Sequence, residues 1–255
     1  MPKRDAAPIG APTWNDLFTS DPDRSEAFYT QLFGWKVDDP GPQYGGYKNF
    51  TRDDIPVAGF MRNDGQWGAP DAWTIYLSTA DAQRTVDAAV AHGGSVVYGP
   101  MQVMELGTQG LITDPGGAAI GIWQPGQVQG FGILAEPNAP SWFELHTRSY
   151  DASVQFYRDV FAWDTHTAAD EPGFRYTTLG EGENGLAGIM DAASFLPEGV
   201  PSHWSVYVQV EDADATIAQA QKLGGAVIQA AEDTPYGRLA TVADPTGAVF
   251  KLQQP

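Results

Sequence analysis

Hydrophobic and polar residues alternate in four separate stretches of the chain, which are 14–21, 74–81, 142–149 and 205–212. Alternation with period two predicts a β-strand with one buried face. Each stretch ends at a residue suited to cap a helix, and after the first one Asp21 and Pro22 favour a helix N-terminus. Phe28, Leu32 and Phe33 then recur at helical spacing. The pattern therefore predicts four strand–helix pairs.

Glycine pairs and short β-like runs complete each quarter of the chain. The second and fourth helices are predicted to end at Gly93-Gly94 and Gly224-Gly225. Runs such as Ser95–Tyr98, Leu111–Thr113 and Ala119–Trp123 follow, separated by Gly, Pro and Asp. We expect an α+β fold of four βαβββ modules, in which the helices cover one face of mixed β-sheets and leave the other face concave.

The two halves of the chain repeat one another at an interval of about 130 residues. Trp14-Asn15-Asp16-Leu17 returns as Trp142-Phe143-Glu144-Leu145, and Asp114-Pro115-Gly116-Gly117 returns as Asp244-Pro245-Thr246-Gly247. The modules therefore pair into two domains. We predict an N-terminal tail over 1–11, domain 1 over 12–125, a Gly- and Pro-rich linker over 126–140, and domain 2 over 141–255.

The composition of the chain limits the kinds of site and partner that it can have. The chain has 255 residues, a net charge of −18, four histidines and no cysteine, which excludes disulfides and thiolate metal sites. The negative charge and the lack of basic clusters argue against nucleic acid as a partner. No apolar run approaches the roughly 20 residues of a membrane span, and the N-terminus lacks a signal-like apolar stretch, so we expect a cytoplasmic protein. The acidity serves solubility or, alternatively, rejects anionic ligands.

These motifs resemble those of the vicinal oxygen chelate (VOC) superfamily, which includes glyoxalase I, extradiol dioxygenases and bleomycin-binding proteins. The resemblance rests on the FYxxxFGW segment that starts at Phe28, on the DPxG turns, and on the module order. The resemblance covers nearly the whole chain. Within the superfamily, the chain is more specifically similar to the tandem glyoxalase-like proteins of actinobacteria. It implies two VOC-type domains with ligand clefts, but the superfamily spans isomerisation, ring cleavage and plain binding.

The resemblance also implies where a divalent metal would be bound, on the first and last strands of the modules. Those positions hold Trp14, Thr74 and Gly121 in domain 1, Trp142, Ser205 and Lys251 in domain 2, and Gly59 and Gly188 on the remaining strands. None offers the expected His, Gln or Glu side chain. We therefore predict no metal and no cofactor, with a displaced site at Glu144, His146 and His203 as the alternative.

Strand alternation gathers the candidate catalytic residues on the concave face of domain 2, which are Glu144, His146, His203 and Lys251. A carboxylate beside imidazoles and a desolvated lysine is a general acid/base group. Alternatively, Glu144 and its counterpart Asp16 anchor a tryptophan N–H, and His203 is solvated at a strand entrance. The matching face of domain 1 contains Trp14, Asp16, Phe18, Thr74, Tyr76 and Gly121.

The remaining predicted ligand contacts are Trp14, Asp16, Trp142, Ser205, Tyr207 and Arg238. Each tryptophan either fills the space of a lost metal site or forms a wall for a flat ligand. We also expect Arg175, Tyr176 and Tyr236 near the cleft and a helix-dipole role for His92, while His166, on the strand after the third helix, has ligand contact only as its alternative role.

Two functions follow. The first is a metal-independent enzyme acting by acid/base chemistry on an oxygenated, aromatic or polyketide-type small molecule. The alternative is a non-catalytic protein that binds or confers resistance to such a molecule. Four modules in one chain can complete each cleft internally, so a monomer and a homodimer are both open.

Overall fold

The computed structural model describes residues 6–66 and 68–255, so the first five residues of the predicted tail lie outside the described residues. In the first half, the helices are α1 (Pro22–Phe33) and α2 (Ala82–Ala91), and the strands are β1 (Pro12–Thr19), β2 (Lys36–Asp38), β3 (Lys48–Arg52), β4 (Ile55–Arg62), β5 (Ala72–Ser78), β6 (Ser95–Val103), β7 (Gly107–Thr113) and β8 (Ala119–Pro125).

The second half repeats this order. Its helices are α3 (Tyr150–Phe161) and α4 (Ala213–Lys222), and its strands are β9 (Pro140–Thr147), β10 (Thr165–Glu171), β11 (Phe174–Leu179), β12 (Ala187–Asp191), β13 (His203–Gln209), β14 (Ala226–Thr234), β15 (Gly237–Ala243) and β16 (Val249–Gln254). The described part of the chain contains no helix long and apolar enough to cross a membrane.

Each half forms one mixed eight-stranded sheet. The strand orders are β2-β3-β4-β1-β5-β8-β7-β6 and β10-β11-β12-β9-β13-β16-β15-β14. The two modules of a half meet at an antiparallel central pair, β1 with β5 and β9 with β13. On either side of this pair the neighbouring strand is parallel. The prediction of an α+β fold with four modules in two mixed sheets is confirmed.

The helix ends follow from local sequence. Asp21, Asp81 and Asp212 each accept a hydrogen bond at the N-terminus of their helix, from the amide three residues further on. Ser149 makes no such bond at the start of α3. At the other end, α1 is followed by Gly34 with φ 70°, a left-handed conformation that glycine adopts without strain. The sequence signals thus place the helices on one side of each sheet.

The two domains pack through their helix-covered sides. Helix α1 lies against α4, and α2 lies against α3. Phe28 of α1 contacts Phe250 of β16, with ring centroids 6.4 Å apart. Two matching polar contacts cross the same boundary, where Ser25 donates to Asp244 at 3.3 Å and Ser153 donates to Asp114 at 3.0 Å. The opposite side of each sheet, here called the concave face, therefore points away from the other domain.

The connection between Pro125 and Pro140 is packed against domain 1. Phe131 is buried, and its ring lies 5.3 Å from Trp14 and 5.4 Å from Phe143. Its amide donates to the carbonyl of Thr13 at 2.9 Å. The segment predicted as a linker thus contacts residues of both domains.

Candidate functional site

A cluster of buried polar side chains lies on the concave face of domain 2, with Glu144 of β9 at its centre. Glu144 is 4% exposed. One carboxylate oxygen, Oε1, accepts a hydrogen bond from the Tyr207 hydroxyl at 2.6 Å and lies 2.7 Å from Nε2 of His146. The other oxygen accepts from the Tyr176 hydroxyl at 2.7 Å. Lys251 Nζ lies 3.5 Å from Oε1. Four different strands therefore converge on one carboxylate.

Electrostatics keep this carboxylate ionised. Burial alone would raise the pKa of Glu144, but the hydrogen bond with His146 and the charge of Lys251 outweigh burial and hold the pKa below its ordinary value. Burial raises the pKa values of Tyr176 and Tyr207, and the charge of Glu144 adds to that effect, so both hydroxyls stay protonated and act as donors. Burial lowers the pKa of Lys251, and Glu144 opposes this shift.

His146 contains the atom best placed for proton transfer. Its Nε2 lies between Oε1 of Glu144 at 2.7 Å and Nζ of Lys251 at 2.9 Å. A ring nitrogen either donates a proton or accepts one, so Nε2 bonds to the carboxylate or to the ammonium but not to both at once. Lys251 also donates to the Tyr207 hydroxyl at 3.0 Å. The cluster therefore has two alternative positions for a single proton.

His203 lies beside His146 and faces the same side of the sheet. The two rings are nearly parallel, with centroids 5.3 Å apart and an interplanar angle of 12°. Nδ1 of His203 lies 2.9 Å from the carbonyl oxygen of Pro201, to which it donates as the N–H tautomer. Burial lowers the pKa of His203, with the neighbouring charges as smaller effects. A neutral imidazole with a free Nε2 is thus available at this position.

The positions of Glu144, His146 and His203 do not suit the displaced metal site that the sequence left as an alternative. Parallel rings point their nitrogens past one another rather than at a common point, and the nitrogen nearest Glu144 already faces Lys251. Within residues 6–66 and 68–255, no three His, Asp or Glu side chains are grouped so that they could hold a metal ion. The family's own metal positions fit no better, because a Cβ on Gly188 would overlap the Tyr176 hydroxyl and Lys251 brings a positive charge. The absence of metal stays a prediction.

Domain 1 presents the matching positions with different chemistry. Asp16 is buried and accepts hydrogen bonds at Oδ1 from Trp14 at 2.8 Å and from Tyr47 at 2.7 Å, and Tyr76 supplies a third. Burial raises the pKa of Asp16 to about 6, and these hydrogen bonds only partly oppose the shift. The counterpart of Lys251 is Gly121, where a Cβ would overlap the Tyr76 ring. Domain 1 thus contains a buried carboxyl group but neither the imidazole nor the cation.

Aromatic side chains surround the domain 2 cluster. Trp142 donates to the Tyr176 hydroxyl at 2.9 Å, so it contacts Glu144 only through that tyrosine. Phe174 stacks on Tyr176 at 5.9 Å, and Tyr236 lies 6.5 Å from the same ring. Phe195 meets His146 edge-on at 6.1 Å. Since Phe174, Phe195 and Tyr236 are partly solvent-exposed, they form an aromatic rim around the cluster.

Two of the predicted ligand contacts have contrasting positions. Ser205 is buried directly opposite Glu144 on the neighbouring strand. Arg238 pairs with Gln254 on β16, three residues from Lys251, so its side chain faces the helices. There its guanidinium is held by Asp214 of α4 and by Asp233. The structure corrects the expectation that Arg238 lies at the cleft.

Other singled-out residues also lie away from the cluster. Arg175 bonds Asp151 of α3 and Asp170 on the helix side. His92 pairs with Asp159 across the domain boundary, with 3.1 Å between Nδ1 and Oδ2. His166 is partly exposed, with Nε2 3.8 Å from a carboxylate oxygen of Glu181.

One functional position was missed from the sequence. Tyr47 and Tyr176 bond to the central carboxyl groups of their domains, yet Tyr47 was not singled out. The two tyrosines recur at the same interval as the rest of the repeat, which is the signal that would have identified them.

Comparison with known proteins agrees with this architecture. The family model described as "Glyoxalase/Bleomycin resistance protein/Dioxygenase superfamily" matches residues 11–122 and 140–252. "Putative glyoxylase CFP32" of Mycobacterium tuberculosis is 38% identical over 100% of this chain and 98% of the relative. Anthracycline biosynthesis protein DnrV of Streptomyces peucetius is 35% identical over 95% of this chain and 92% of the relative.

Solved structures agree on the fold at low identity. An Mn(II)-bound glyoxalase from Novosphingobium aromaticivorans superposes with a TM-score of 0.64 at 18% identity, covering 96% of this chain and 82% of that one. The 2,3-dioxygenase LapB from Pseudomonas superposes with a TM-score of 0.67 at 13% identity, covering 97% and 92%. The chain is therefore a member of the glyoxalase, bleomycin resistance protein and dioxygenase superfamily.

Proposed function

We propose that domain 2 binds an oxygenated aromatic small molecule at its concave face and transforms it by metal-independent acid/base chemistry. The observation that carries the proposal is the contact of Glu144, His146 and Lys251, which domain 1 lacks although it repeats the surrounding framework. The relatives add support, since one is named as a glyoxylase and others as anthracycline biosynthesis proteins.

Each residue has a separate task in this chemistry. Glu144 already accepts from two tyrosines and contacts His146, so it orients the imidazole rather than reaching a ligand. His146 accepts the proton that leaves the bound ligand, and the Glu144 carboxylate, 2.7 Å from Nε2, stabilises the imidazolium that forms. Lys251, held by the Tyr207 hydroxyl, stabilises negative charge that develops on a ligand oxygen.

The alternative is a binding protein without turnover, and the aromatic rim favours it. Phe174, Tyr236 and Phe195 offer exposed ring faces on which a flat molecule stacks without any chemistry. Because binding needs only these walls and a charge partner, this function does not require His146 to exchange its proton.

The experiment that separates the two uses purified full-length protein and hydroxylated anthraquinones as probes. Tryptophan fluorescence reports binding, and mass spectrometry reports whether each probe returns unchanged. For the enzyme, Glu144→Gln should lower turnover at least ~10²-fold while binding persists, and Glu211→Gln, the same change at an exposed position, should leave turnover intact. Activity should also survive exhaustive dialysis against a chelator. Unchanged probes with quenched fluorescence identify the binder, and chelator-sensitive turnover contradicts the metal-independent mechanism.

A further inference from the structure

One loop borders the domain 2 cluster and joins β12 to β13. Its two ends are fixed to the end of β9, because the amide of Ala192 donates to the carbonyl of Thr147 at 2.8 Å and the amide of Arg148 donates to Ser202 Oγ at 3.0 Å. Between these anchors the loop contains Phe195, one of the three rim aromatics. The strand that contains Glu144 and His146 therefore also anchors this loop.

A single arginine at the surface contacts several carbonyl oxygens of the loop backbone. Nη2 of Arg148 donates its two hydrogens among three carbonyl oxygens, those of Pro197 at 2.7 Å, Leu196 at 2.9 Å and Val200 at 3.2 Å. Its Nε adds a longer contact to Val200 at 3.3 Å. A guanidinium presents several fixed N–H donors at once, so it can hold carbonyls from separate turns, which a lysine cannot do with equal geometry.

These contacts set the position of two side chains at the site. Phe195 lies at the turn that Leu196 and Pro197 continue, and its ring meets His146 edge-on. At the other end, Pro201 supplies the carbonyl that orients His203. We propose that Arg148 is a positioning residue, whose guanidinium holds the loop so that Phe195 forms a fixed wall selecting flat aromatic ligands.

Among the described residues of domain 1, no arginine takes this place directly after β1. The position that corresponds to Arg148 is Ser20, whose amide and hydroxyl both bond Asp71 at 2.8 and 2.6 Å. A serine cannot reach several carbonyls of a neighbouring loop. The clamp therefore belongs to the domain that also has the acid/base cluster.

The clamp itself is testable without any ligand. Arg148→Ala should speed amide hydrogen exchange at Leu196 and Val200 by about tenfold or more while strands β9 and β13 keep their protection. The His203 ring resonances, which depend on the stacked His146 ring, should move in the same variant. Arg148→Lys should give intermediate exchange, and Arg158→Ala, an exposed arginine on α3, should change neither measurement. Wild-type exchange and resonances in Arg148→Ala would overturn the clamp.

The selection of aromatic ligands rests on the proposed function and has its own test. With 1,4-dihydroxyanthraquinone as the probe, Arg148→Ala and Phe195→Ala should each weaken binding by about tenfold, and the double variant should weaken it no further. Multiplying losses in the double variant would show that Arg148 does not act through Phe195. If the wild type fails to bind the probe while the exchange results hold, the proposed function fails and the clamp stands.

Discussion

The two domains present the same framework around carboxyl groups whose pKa values are shifted in opposite directions. Asp16 and Glu144 occupy equivalent strand positions, and each accepts a hydrogen bond from a tyrosine of its own module, Tyr47 and Tyr176 respectively. In domain 1 burial raises the pKa of Asp16, whereas in domain 2 the partners of Glu144 hold its pKa below its ordinary value. The difference comes from Lys251 in place of Gly121 and from His146 in place of Phe18. Two differences beside the carboxyl group thus accompany opposite shifts of its pKa.

The largest effect on stability should come from Glu144→Gln. The change leaves the Lys251 ammonium buried without its counter-charge, which costs about 3 kcal/mol of unfolding free energy at pH 7. Because the folded pKa of Glu144 is depressed, its contribution is complete above the ordinary pKa and is lost as the pH falls through the folded value. Urea unfolding should therefore show a smaller difference between variant and wild type at pH 3 than at pH 7.

A second substitution checks this cause. Adding Lys251→Met to Glu144→Gln removes the uncompensated charge and should recover most of the lost stability. If Glu144→Gln alone leaves the unfolding free energy at pH 7 unchanged, Lys251 is not held there as a charged partner and the contrast between the domains collapses.

Asp16→Asn should raise the unfolding free energy at pH 7, whereas Glu144→Gln lowers it. The pKa of Asp16 is about 6 in the folded chain, against an ordinary value of 3.8. Between pH 3.8 and pH 6 the folded state therefore binds the carboxyl proton of Asp16 more tightly than the unfolded state does. Its contribution is complete below the unfolded pKa and declines as the pH rises through about 6. The asparagine variant should be about 2 kcal/mol more stable than the wild type at pH 7 and should lose this decline. A destabilised variant at pH 7 would show that the ionised form is the one domain 1 favours.

Gly121→Ala tests whether the Tyr76 ring of domain 1 fills the space next to Gly121, the position that Lys251 occupies in domain 2. A Cβ at this position would overlap the buried Tyr76 ring, which must shift, at a cost of about 1 to 3 kcal/mol. Gly99→Ala is the control, because a Cβ there meets nothing within 4 Å. Thermal unfolding of both variants measures the difference, and equal midpoints would mean that Tyr76 moves freely.

The fold and most of the cluster could be predicted from the sequence, but each from a different signal. The repeat identified equivalent elements, and alternation along β9 alone placed Glu144 and His146 on one face. The partners that depend on register were harder to find, because Tyr47, directly before β3, and Tyr176 of β11 reach the carboxyl groups from outside β1 and β9. Arg238 was misplaced for the same reason, since its face depends on pairing with Gln254. Periodicity fixes the faces within a strand, but only the pairing between strands fixes which side chains meet.

The smallest effect is expected at the domain boundary, where the halves also differ. His92 pairs with Asp159 between α2 and α3, while the equivalent positions beside α4 and α1 are Leu223 and Gln31. Both partners of the pair are substantially exposed, so His92→Ala should lower the unfolding free energy by no more than about 0.5 kcal/mol. A double-mutant cycle with Asp159→Ala measures the coupling directly. Coupling well above this value would mean that the contact of His92 with Asp159 adds substantially to the apolar packing of Phe28 and its counterpart Phe156 at the domain boundary.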